Sequence, residues 1–590
     1  MCGIAGIMTE DGRPPSPAIL ESMTRALAHR GPDGEGQYNA GGTGLSQTRL
    51  AIIDLQTGDQ PLHGQNGTVL VANGEIYNYV ELAREFGASH LKTHSDCELP
   101  LLTYARDGDG FAAALRGMYA IALFDAREHK LLLARDPFGI KPLYYAEYPG
   151  GILFASEAQA ILKTGLAGNA LDPDTAAELT QLQFTTGRRT IYSAIRRVMP
   201  GETLTLSGGH IVGRRNLQAL PSGPRLDIGE AEALNRLDAA LMDSVMVHQR
   251  SDVPYGMFLS GGVDSSALLA CMARLNEKPV RAFTAGFPGS AARDEREAAR
   301  RIAKAAGAEH IEVEVTEKDF WAHVPAIAAA MDDPTADYAV LPTYLLAEEA
   351  AKELKVVLTG EGGDELFAGY GRYRSALRSP WLGGRVMRQR GALDGYGLLR
   401  DGNRHWRSGI RAAERRAALG DWSRLQQAQA VDCADWLPHD LLLKIDRCLM
   451  AHGLEGRTPL LDPVVADLAF RLPDALKIKD GKGKYLLRRW LERALPAADA
   501  FGKKKGFTVP VGEWLQPRAE ELAPLVAQSP GVAQICRADA VDTFFKRFAA
   551  HGGKHEAIAC WQILFYALWH KIHVEGVGAG AGILETLDSK

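Results

Sequence analysis

The chain has 590 residues, of which 46% are hydrophobic and 24% charged, and its formal net charge at pH 7 is -5. At roughly 100–200 residues per domain, this length predicts two or more domains with full-sized cores. The slightly acidic balance argues against a general nucleic-acid or membrane-surface binder, because such proteins usually carry a basic excess.

Targeting and cross-linking signals are missing from the sequence. The first residues, MCGIAGIM, lack the basic region and apolar run of a signal peptide, and no apolar run is long enough to span a bilayer. The seven cysteines have no CxxC-type spacing, which predicts neither a disulfide framework nor a structural zinc site. We therefore expect a protein of the reducing cytoplasm that acts on small molecules.

The first part of the chain alternates short apolar runs with turns rich in Gly, Asn and Asp, a pattern that predicts β-strands. The predicted strands are residues 44–45, 68–72, 120–124 and 130–134. Helical periodicity appears at residues 17–28 and again near 98–107.

The pattern changes after residues 220–229, LPSGPRLDIG, which predict a linker. Strands predicted at 253–259, 280–286, 310–315 and 355–358 alternate with helices at 265–275 and 294–306. This alternation predicts βαβ units and a parallel sheet. The domains are accordingly residues 2–215 and 230–575, followed by a Gly/Ala-rich tail, 576–590, that we expect to be disordered. The Arg-rich segment 378–424 predicts a solvated helical insertion.

Cys2 is a candidate nucleophile. Removal of Met1 would leave Cys2 with a free α-amino group, which could act as the base for its own thiol. The ordinary pKa of about 8 for such an amine leaves part of it neutral at cellular pH. A lone cysteine is more often an inert core residue. The motifs that follow therefore decide the matter: HRGPD at 29–33, QTRLAIID at 47–54, NGEIYN at 73–78, SDCE at 95–98 and RDPFGIKPLYY at 135–145.

Together these motifs resemble the glutaminase domain of the class II glutamine amidotransferases, the N-terminal-nucleophile type. The resemblance implies an αββα fold with Cys2 as nucleophile and an oxyanion hole made by the Asn73 side chain and the Gly74 N–H. It also implies that a guanidinium binds the α-carboxylate of glutamine and that protein carboxylates bind its α-ammonium. The implied glutamine-binding residues are Arg49, Leu50, Asn73, Gly74, Glu75 and Asp96.

Several of these residues could instead have a purely structural role. Asn73 and Gly74 could form a tight turn, Asp96 could cap a helix, and Arg49 could be a surface cation. Cys97, beside Asp96, is interpreted as a buried structural cysteine.

A second glycine-rich segment, FLSGGVDSS at 258–266, follows an apolar strand and opens a helix. Its glycines allow an anion to approach the backbone, while its hydroxyls and the helix N-terminus attract it. No Lys follows the second Gly as in a P-loop. The segment resembles instead the pyrophosphate loop of the ATP pyrophosphatases, which implies ATP as co-substrate and Asp264 as a ligand of Mg²⁺. The implied nucleotide contacts here are Ser260, Gly261, Gly262, Asp264, Ser265 and Ser266.

The other half of this site is LTGEGGDELFAGY at 358–370. Asp364 and Glu365 are candidates for metal or polar support. By resemblance, Thr359 and Gly360 border the nucleotide, and Glu361 bears on the acyl-adenylate step. Leu259 and Ala285, each near a strand end, would line the adenine pocket, since ligands of open α/β sheets lie at the carboxyl ends of strands. Taken alone, the segment could also be a Gly-rich acidic turn.

Three later blocks, at 444–462, 481–489 and 501–515, resemble the C-terminal domain of the glutamine-hydrolysing asparagine synthetases. Lys484 matches the lysine that neutralises phosphate charge in that family. The run Lys503, Lys504 and Lys505 is more simply interpreted as a solvated basic stretch. The resemblance spans nearly the whole chain and implies an α/β synthetase domain of the ATP-pyrophosphatase type. It implies that aspartate, ATP and glutamine give asparagine, AMP, pyrophosphate and glutamate, with ammonia crossing an internal channel.

The acceptor and the assembly state stay open. Gly363 stands in EGGDE where better-studied members carry Ser, and the bacterial branch typified by these motifs includes enzymes that amidate sugars, peptides or natural-product carboxylates. The chain could also be a phosphoribosyl-type amidotransferase, although that chemistry needs no pyrophosphate loop, or a non-catalytic interaction protein on this scaffold. A homodimer is possible as well.

Overall fold

The computed structural model describes residues 2–290, 294–378, 381, 388–400, 405–502, 509–580 and 582–589. In the first half, twelve strands form two antiparallel sheets of six. The strands are β1 Gly3–Thr9, β2 Gly34–Ala40, β3 Thr43–Arg49, β4 Leu62–His63, β5 Thr68–Ile76, β6 Gly117–Asp125, β7 Lys130–Arg135, β8 Tyr144–Tyr148, β9 Gly151–Ala155, β10 Arg196–Arg197, β11 Glu202–Ser207 and β12 His210–Asn216. Their orders are β10-β8-β9-β1-β3-β2 and β12-β11-β7-β6-β5-β4.

Alternating residues of these strands bury opposite faces, as the two-residue strand period requires. Ile4 and Met8 of β1 pack with Val69 and Val71 of β5 in the core between the sheets. The opposite faces are covered by helices, so this half has the αββα layering that the resemblance implies. The helices are α1 Pro17–Ala26, α2 Tyr79–Phe86, α3 Leu99–Asp107, α4 Ala158–Leu162 and α5 Pro173–Leu182.

The second half contains a five-stranded parallel sheet of order β15-β14-β13-β16-β17. Its strands are β13 Tyr255–Phe258, β14 Arg281–Gly286, β15 Glu309–Glu314, β16 Val356–Leu358 and β17 Glu455–Arg457. Met257 and Leu358 pack in one core and Phe283 and Val357 in another, so helices cover both faces. The predicted α/β class of this half is confirmed.

Helices make up most of the remaining second half. They are α6 Glu230–His248, α7 Val263–Leu275, α8 Arg296–Ala306, α9 Glu317–Ala330, α10 Val340–Ala350, α11 Gly363–Leu366, α12 Gly371–Leu377, α13 Ser408–Ala417, α14 Arg424–Val431, α15 Leu442–Met450, α16 Pro463–Arg471, α17 Asp474–Lys477, α18 Tyr485–Ala494, α19 Val511–Leu515, α20 Ala519–Gln528, α21 Pro530–Ile535, α22 Ala538–His551, α23 Lys554–His573 and α24 Ile583–Asp588. A π-helical segment, Asp432–Leu441, joins α14 to α15. No helix in the described part of the chain is long and apolar enough to cross a membrane.

Two expectations need correction. The tail 576–590 is not simply disordered, because its helix α24 buries Ile583 and Leu587 in a core that also contains residues of α23. The described part of the segment 378–424 is not merely solvated either. Its Leu393 backbone N–H donates to Gln181 Oε1 of the first half at 2.9 Å, and Ile410 of α13 is buried.

Candidate active site at the boundary of the two halves

Cys2 lies directly before β1 and is buried. Its backbone N–H donates to Asn73 Oδ1 at 3.2 Å, which ties the start of the chain to β5. Burial raises the pKa of the Cys2 thiol, whereas a hydrogen bond from the Leu50 backbone lowers it. A thiol in this position needs a neighbouring base before it can attack an amide.

Asn73 and Gly74 do not form a turn, since both lie within β5. A Cβ on Gly74, whose φ is 158°, would lie 2.1 Å from the Met118 carbonyl oxygen, so only glycine fits there. Asn73 Nδ2 is buried and has no hydrogen-bond partner among the described residues. It is therefore a donor that can serve an oxyanion formed beside Cys2.

Arg49 is not a surface cation. It ends β3 and is 8% exposed, and its Nη1 donates to Asp59 Oδ1 at 2.6 Å. Because the Asp59 side chain is 81% exposed, its carboxylate can be exchanged for that of a ligand at little cost. The guanidinium thus already binds the chemical group that the glutamine carboxylate would present.

Asp96 is buried and does not cap the short helix that it begins. Ser95 is the cap, because its Oγ accepts the Cys97 N–H at 3.2 Å. Asp96 Oδ2 instead accepts the Ile76 N–H at 2.7 Å, which fixes the carboxylate beside the end of β5. Burial raises the pKa of Asp96 to about 6. Cys97 is buried too, consistent with its structural interpretation.

Glu75, the third predicted residue of β5, contacts the second half of the chain. Its Oε2 lies 3.2 Å from Nη2 of Arg457, the last residue of β17. Burial raises the pKa of Glu75 well above its ordinary value, and Arg457 opposes that shift. The structure therefore brings Cys2, Asn73 and Glu75 together at a boundary with β17, a strand that the sequence patterns did not reveal.

A cavity of about 380 Å³ lies at the carboxyl ends of β13, β14 and β16. It is lined by nine of the predicted nucleotide-site residues: Leu259, Ser260, Asp264, Ser265, Ala285, Thr359, Gly360, Glu361 and Asp364. Gly261, Gly262 and Ser266 do not line it, although they belong to the same loop and the first turn of α7. Gly261 has a φ of 66°, a conformation that glycine adopts without strain.

Lys484 joins the two loops of this site. Its Nζ contacts a carboxylate oxygen of Asp264 and lies 2.8 Å from Asp364 Oδ1. Burial lowers the pKa of Lys484, but the two carboxylates outweigh it and raise the pKa overall. A Cβ on Gly363 would lie 2.4 Å from Asp264 Oδ1, so the glycine found here lets this carboxylate approach.

Several cavity residues were not predicted from the sequence. Asp337 and Lys444 form a buried ion pair in its wall, with Lys444 Nζ 2.8 Å from Asp337 Oδ2. Glu295, Tyr338 and Tyr370 also line the cavity. Lys444 opens one of the blocks that carry the family resemblance, and this was the only signal for it. Lys503, Lys504 and Lys505 lie outside the described residues.

Metal binding would depend on the nucleotide. In the part of the chain that the structure describes, no three His, Cys, Asp or Glu side chains group so as to hold a metal ion. Asp264 and Asp364 nevertheless offer two carboxylates at the cavity wall, and Mg²⁺ commonly takes one or two carboxylates together with substrate phosphates. The residues present therefore fit this ion.

Comparison with known proteins gives two family matches. Residues 236–571 match the asparagine synthase family, and residues 1–216 match the glutamine amidotransferase domain family. The chain is 32% identical to asparagine synthetase [glutamine-hydrolyzing] 1 of Bacillus subtilis, over 98% of this chain and 97% of that protein. It is 34% identical to a putative asparagine synthetase of Mycobacterium tuberculosis, over 98% of both chains. Asparagine synthetase B of Escherichia coli is 30% identical over 89% of this chain and 86% of its own.

Proposed function

Because this chain belongs to the asparagine synthetase family of glutamine-dependent carbon–nitrogen ligases, we propose that it amidates the side-chain carboxylate of aspartate. ATP is the co-substrate of that family. The proposal depends on two features that occur in one chain. One is the Cys2 thiol beside Asn73 Nδ2, an amide donor without a hydrogen-bond partner among the described residues. The other is a cavity at the strand ends that is lined by acidic residues. The strand β17 contacts Glu75 beside the thiol and pairs with β16 beside the cavity.

The first half would release ammonia from glutamine. The Cys2 thiolate attacks the side-chain amide carbon, the tetrahedral oxyanion takes hydrogen bonds from Asn73 Nδ2 and the Gly74 N–H, and ammonia leaves. With Met1 removed, the α-amine of Cys2 accepts the thiol proton and passes it to the leaving nitrogen. Water then hydrolyses the thioester to glutamate and restores the thiol.

The second half would activate the acceptor. An oxygen of the aspartate side-chain carboxylate attacks the α-phosphorus of ATP, and pyrophosphate leaves on the serine- and glycine-rich loop. Lys484 balances the charge that develops on the phosphates. Mg²⁺ held by Asp264 and Asp364 would add further charge neutralisation when bound. Ammonia then attacks the acyl-adenylate, which gives asparagine and AMP.

An apolar part of the boundary supports transfer of ammonia between the halves. Leu50, Ile52 and Met118 of the first half share one hydrophobic core with Leu460 and Leu461 of the second. Such a lining favours neutral ammonia over ammonium, because an unpaired charge is costly to bury. We propose that the channel follows this shared core.

The acceptor is tested by pyrophosphate release in the presence of ammonia and MgATP. Aspartate should stimulate release more than glutamate does, by about 10–200-fold, the range that one methylene allows in a fitted pocket. Asp337 and Lys444 offer opposite charges for the α-ammonium and α-carboxylate of such an acceptor. Asp264→Asn serves as the negative control, because it should not release pyrophosphate from ATP. If a peptide or sugar carboxylate stimulates release and aspartate does not, aspartate is the wrong acceptor, although ATP-dependent amidation stands.

A further inference from the structure

An arginine of the second half reaches into the thiol site. Arg457 ends β17 and is fully buried, and its Nη2 lies 3.2 Å from Glu75 Oε2. Glu75 directly follows the Asn73 and Gly74 pair on β5. The guanidinium therefore contacts the thiol site through Glu75.

The guanidinium is held from its own side of the boundary. Its Nε donates to Glu455 Oε1 at 2.5 Å, and its Nη1 donates to the carbonyl oxygens of His248 and Arg250 at 2.9 and 2.7 Å. Its Nη2 and Glu75 Oε2 face each other as an ion pair, and neither atom makes a hydrogen bond with the described residues. A planar fork fixed on three sides presents its remaining edge in one orientation, which a flexible ammonium cannot do.

Charge explains what this contact contributes. Burial, Glu455 and Asp96 all raise the pKa of Glu75, whereas Arg457 lowers it. Glu75 and Glu455 also raise the pKa of the Cys2 thiol. Arg457 is the largest influence that opposes the rise in the pKa of Glu75, so its loss would favour the neutral form of this carboxyl further.

We propose that Arg457 is a positioning residue of the glutamine site, which pairs with the Glu75 carboxylate at 3.2 Å and orients it toward the α-ammonium of glutamine. This inference rests on the proposed function of the thiol site. It goes further in one respect, since it makes the glutamine affinity of the first half depend on a side chain of the second.

The test is the variant Arg457→Lys, in which a single ammonium cannot satisfy Glu455, two carbonyls and Glu75 together. The KM for glutamine should rise about tenfold or more, because binding energy is lost, while kcat for hydrolysis changes less than about threefold. Ammonia-dependent pyrophosphate release should stay within about twofold of the wild type. Glutaminase activity is measured as glutamate formed without acceptor.

Arg116→Lys is the matched control. Arg116 also crosses the boundary, where it binds Asp462 and Asp243 rather than Glu75. Its replacement should leave the KM for glutamine unchanged. An unchanged KM in Arg457→Lys would overturn the inference, and so would a parallel fall of kcat and ammonia-dependent activity, which marks a purely structural role. If the wild type does not hydrolyse glutamine, the proposed function fails instead.

A second variant tests the inference if the Arg457→Lys protein does not fold. Glu75→Gln removes the carboxylate that Arg457 is inferred to orient and should raise the KM for glutamine by a similar factor, again with ammonia-dependent release retained. Where both single variants fold, the double variant should have no higher KM than Glu75→Gln alone, because the two residues act through one contact. A Glu75→Gln enzyme with the wild-type KM contradicts the inference.

Discussion

Two buried cysteines lie near each other in the thiol site, and the proposed mechanism assigns nitrogen release to Cys2. Cys2 adjoins Asn73, whereas the Cys97 Sγ lies 3.8 Å from Asp96 Oδ2 and 3.7 Å from the Gly74 carbonyl oxygen. Burial raises the pKa of Cys97 well above its ordinary value, a shift that its acidic neighbours reinforce. A thiol in those surroundings stays protonated and inert.

Cys2→Ala should therefore abolish glutamine-dependent synthesis and leave ammonia-dependent synthesis intact, because the thiol serves only to release nitrogen. Cys97→Ala should retain both activities. The measurement is pyrophosphate release with glutamine and, separately, with ammonium chloride as nitrogen source. Equal loss of both activities in Cys2→Ala would contradict the division of labour between the halves.

In the proposed glutamine site, Asp96 should make glutamine binding depend on pH. Its pKa of about 6 means that the carboxylate is ionised above that pH and becomes neutral below it. Attraction for the glutamine α-ammonium is therefore present above pH 6 and lost as the pH falls. In Cys2→Ala, which removes the thiol from the titration, the Kd for glutamine should rise about tenfold for each pH unit below 6. Calorimetry between pH 7 and pH 4.5 tests this, and a constant Kd would refute it.

Among the elements, the five strands of the parallel sheet show which features the sequence could predict and which it could not. Four of them were predicted: β13, β14 and β16 lie in apolar stretches, and in β15 Ile311 and Val313 alternate with polar residues. The strand β17 has only three residues, Glu455–Arg457, two of them charged. Nothing in its composition predicts a buried strand. The two charged residues can be buried because they pair with each other and Arg457 pairs with Glu75. Arg457, one of the residues that link the two halves, was not found from the sequence for the same reason.

The C-terminal helix α24 was missed because its Gly/Ala-rich surroundings favour disorder, although Ile583 and Leu587 lie one helical turn apart on a buried face. Ile583→Ala should destabilise the protein by about 2–5 kcal/mol, the usual cost of such a cavity. Glu585→Ala, on the exposed side of the same helix, should change stability by less than about 0.5 kcal/mol. Denaturation followed by tryptophan fluorescence compares them. Equal denaturation midpoints for the two variants would mean that α24 does not pack stably on the core.

For the whole molecule, a buried network of charges holds the halves together. Arg30 of the first half donates to Asp446 at 2.8 and 2.9 Å and to Glu157 at 2.7 Å, and Arg447 also donates to Asp446 at 2.8 Å. Although burial raises the pKa of Asp446, Arg30 and Arg447 hold it below its ordinary value. Its stabilising contribution is therefore present above the unfolded-state pKa and is lost as the pH falls through the folded-state value.

Asp446→Asn should accordingly lower stability at pH 7 by about 3–5 kcal/mol, because it leaves two buried guanidinium groups without their shared carboxylate. Asp243→Asn is the control at the same boundary. That side chain is 41% exposed, and its loss should cost at most about 1 kcal/mol. Thermal unfolding curves at pH 7 decide the comparison. Similar shifts for both variants would mean that the buried network contributes little.

This network constrains the design of chimeras. The linker 220–229 offers an obvious point for exchanging one half with that of a relative, and the family matches end and begin on either side of it. A graft made there would divide Arg30 and Glu157 from Asp446 and Arg447, and would also divide Glu75 from Arg457. A donor half that lacks matching charges would bury unpaired ions at the seam. A functional chimera therefore requires that one half be exchanged together with the residues that pair with it across the boundary.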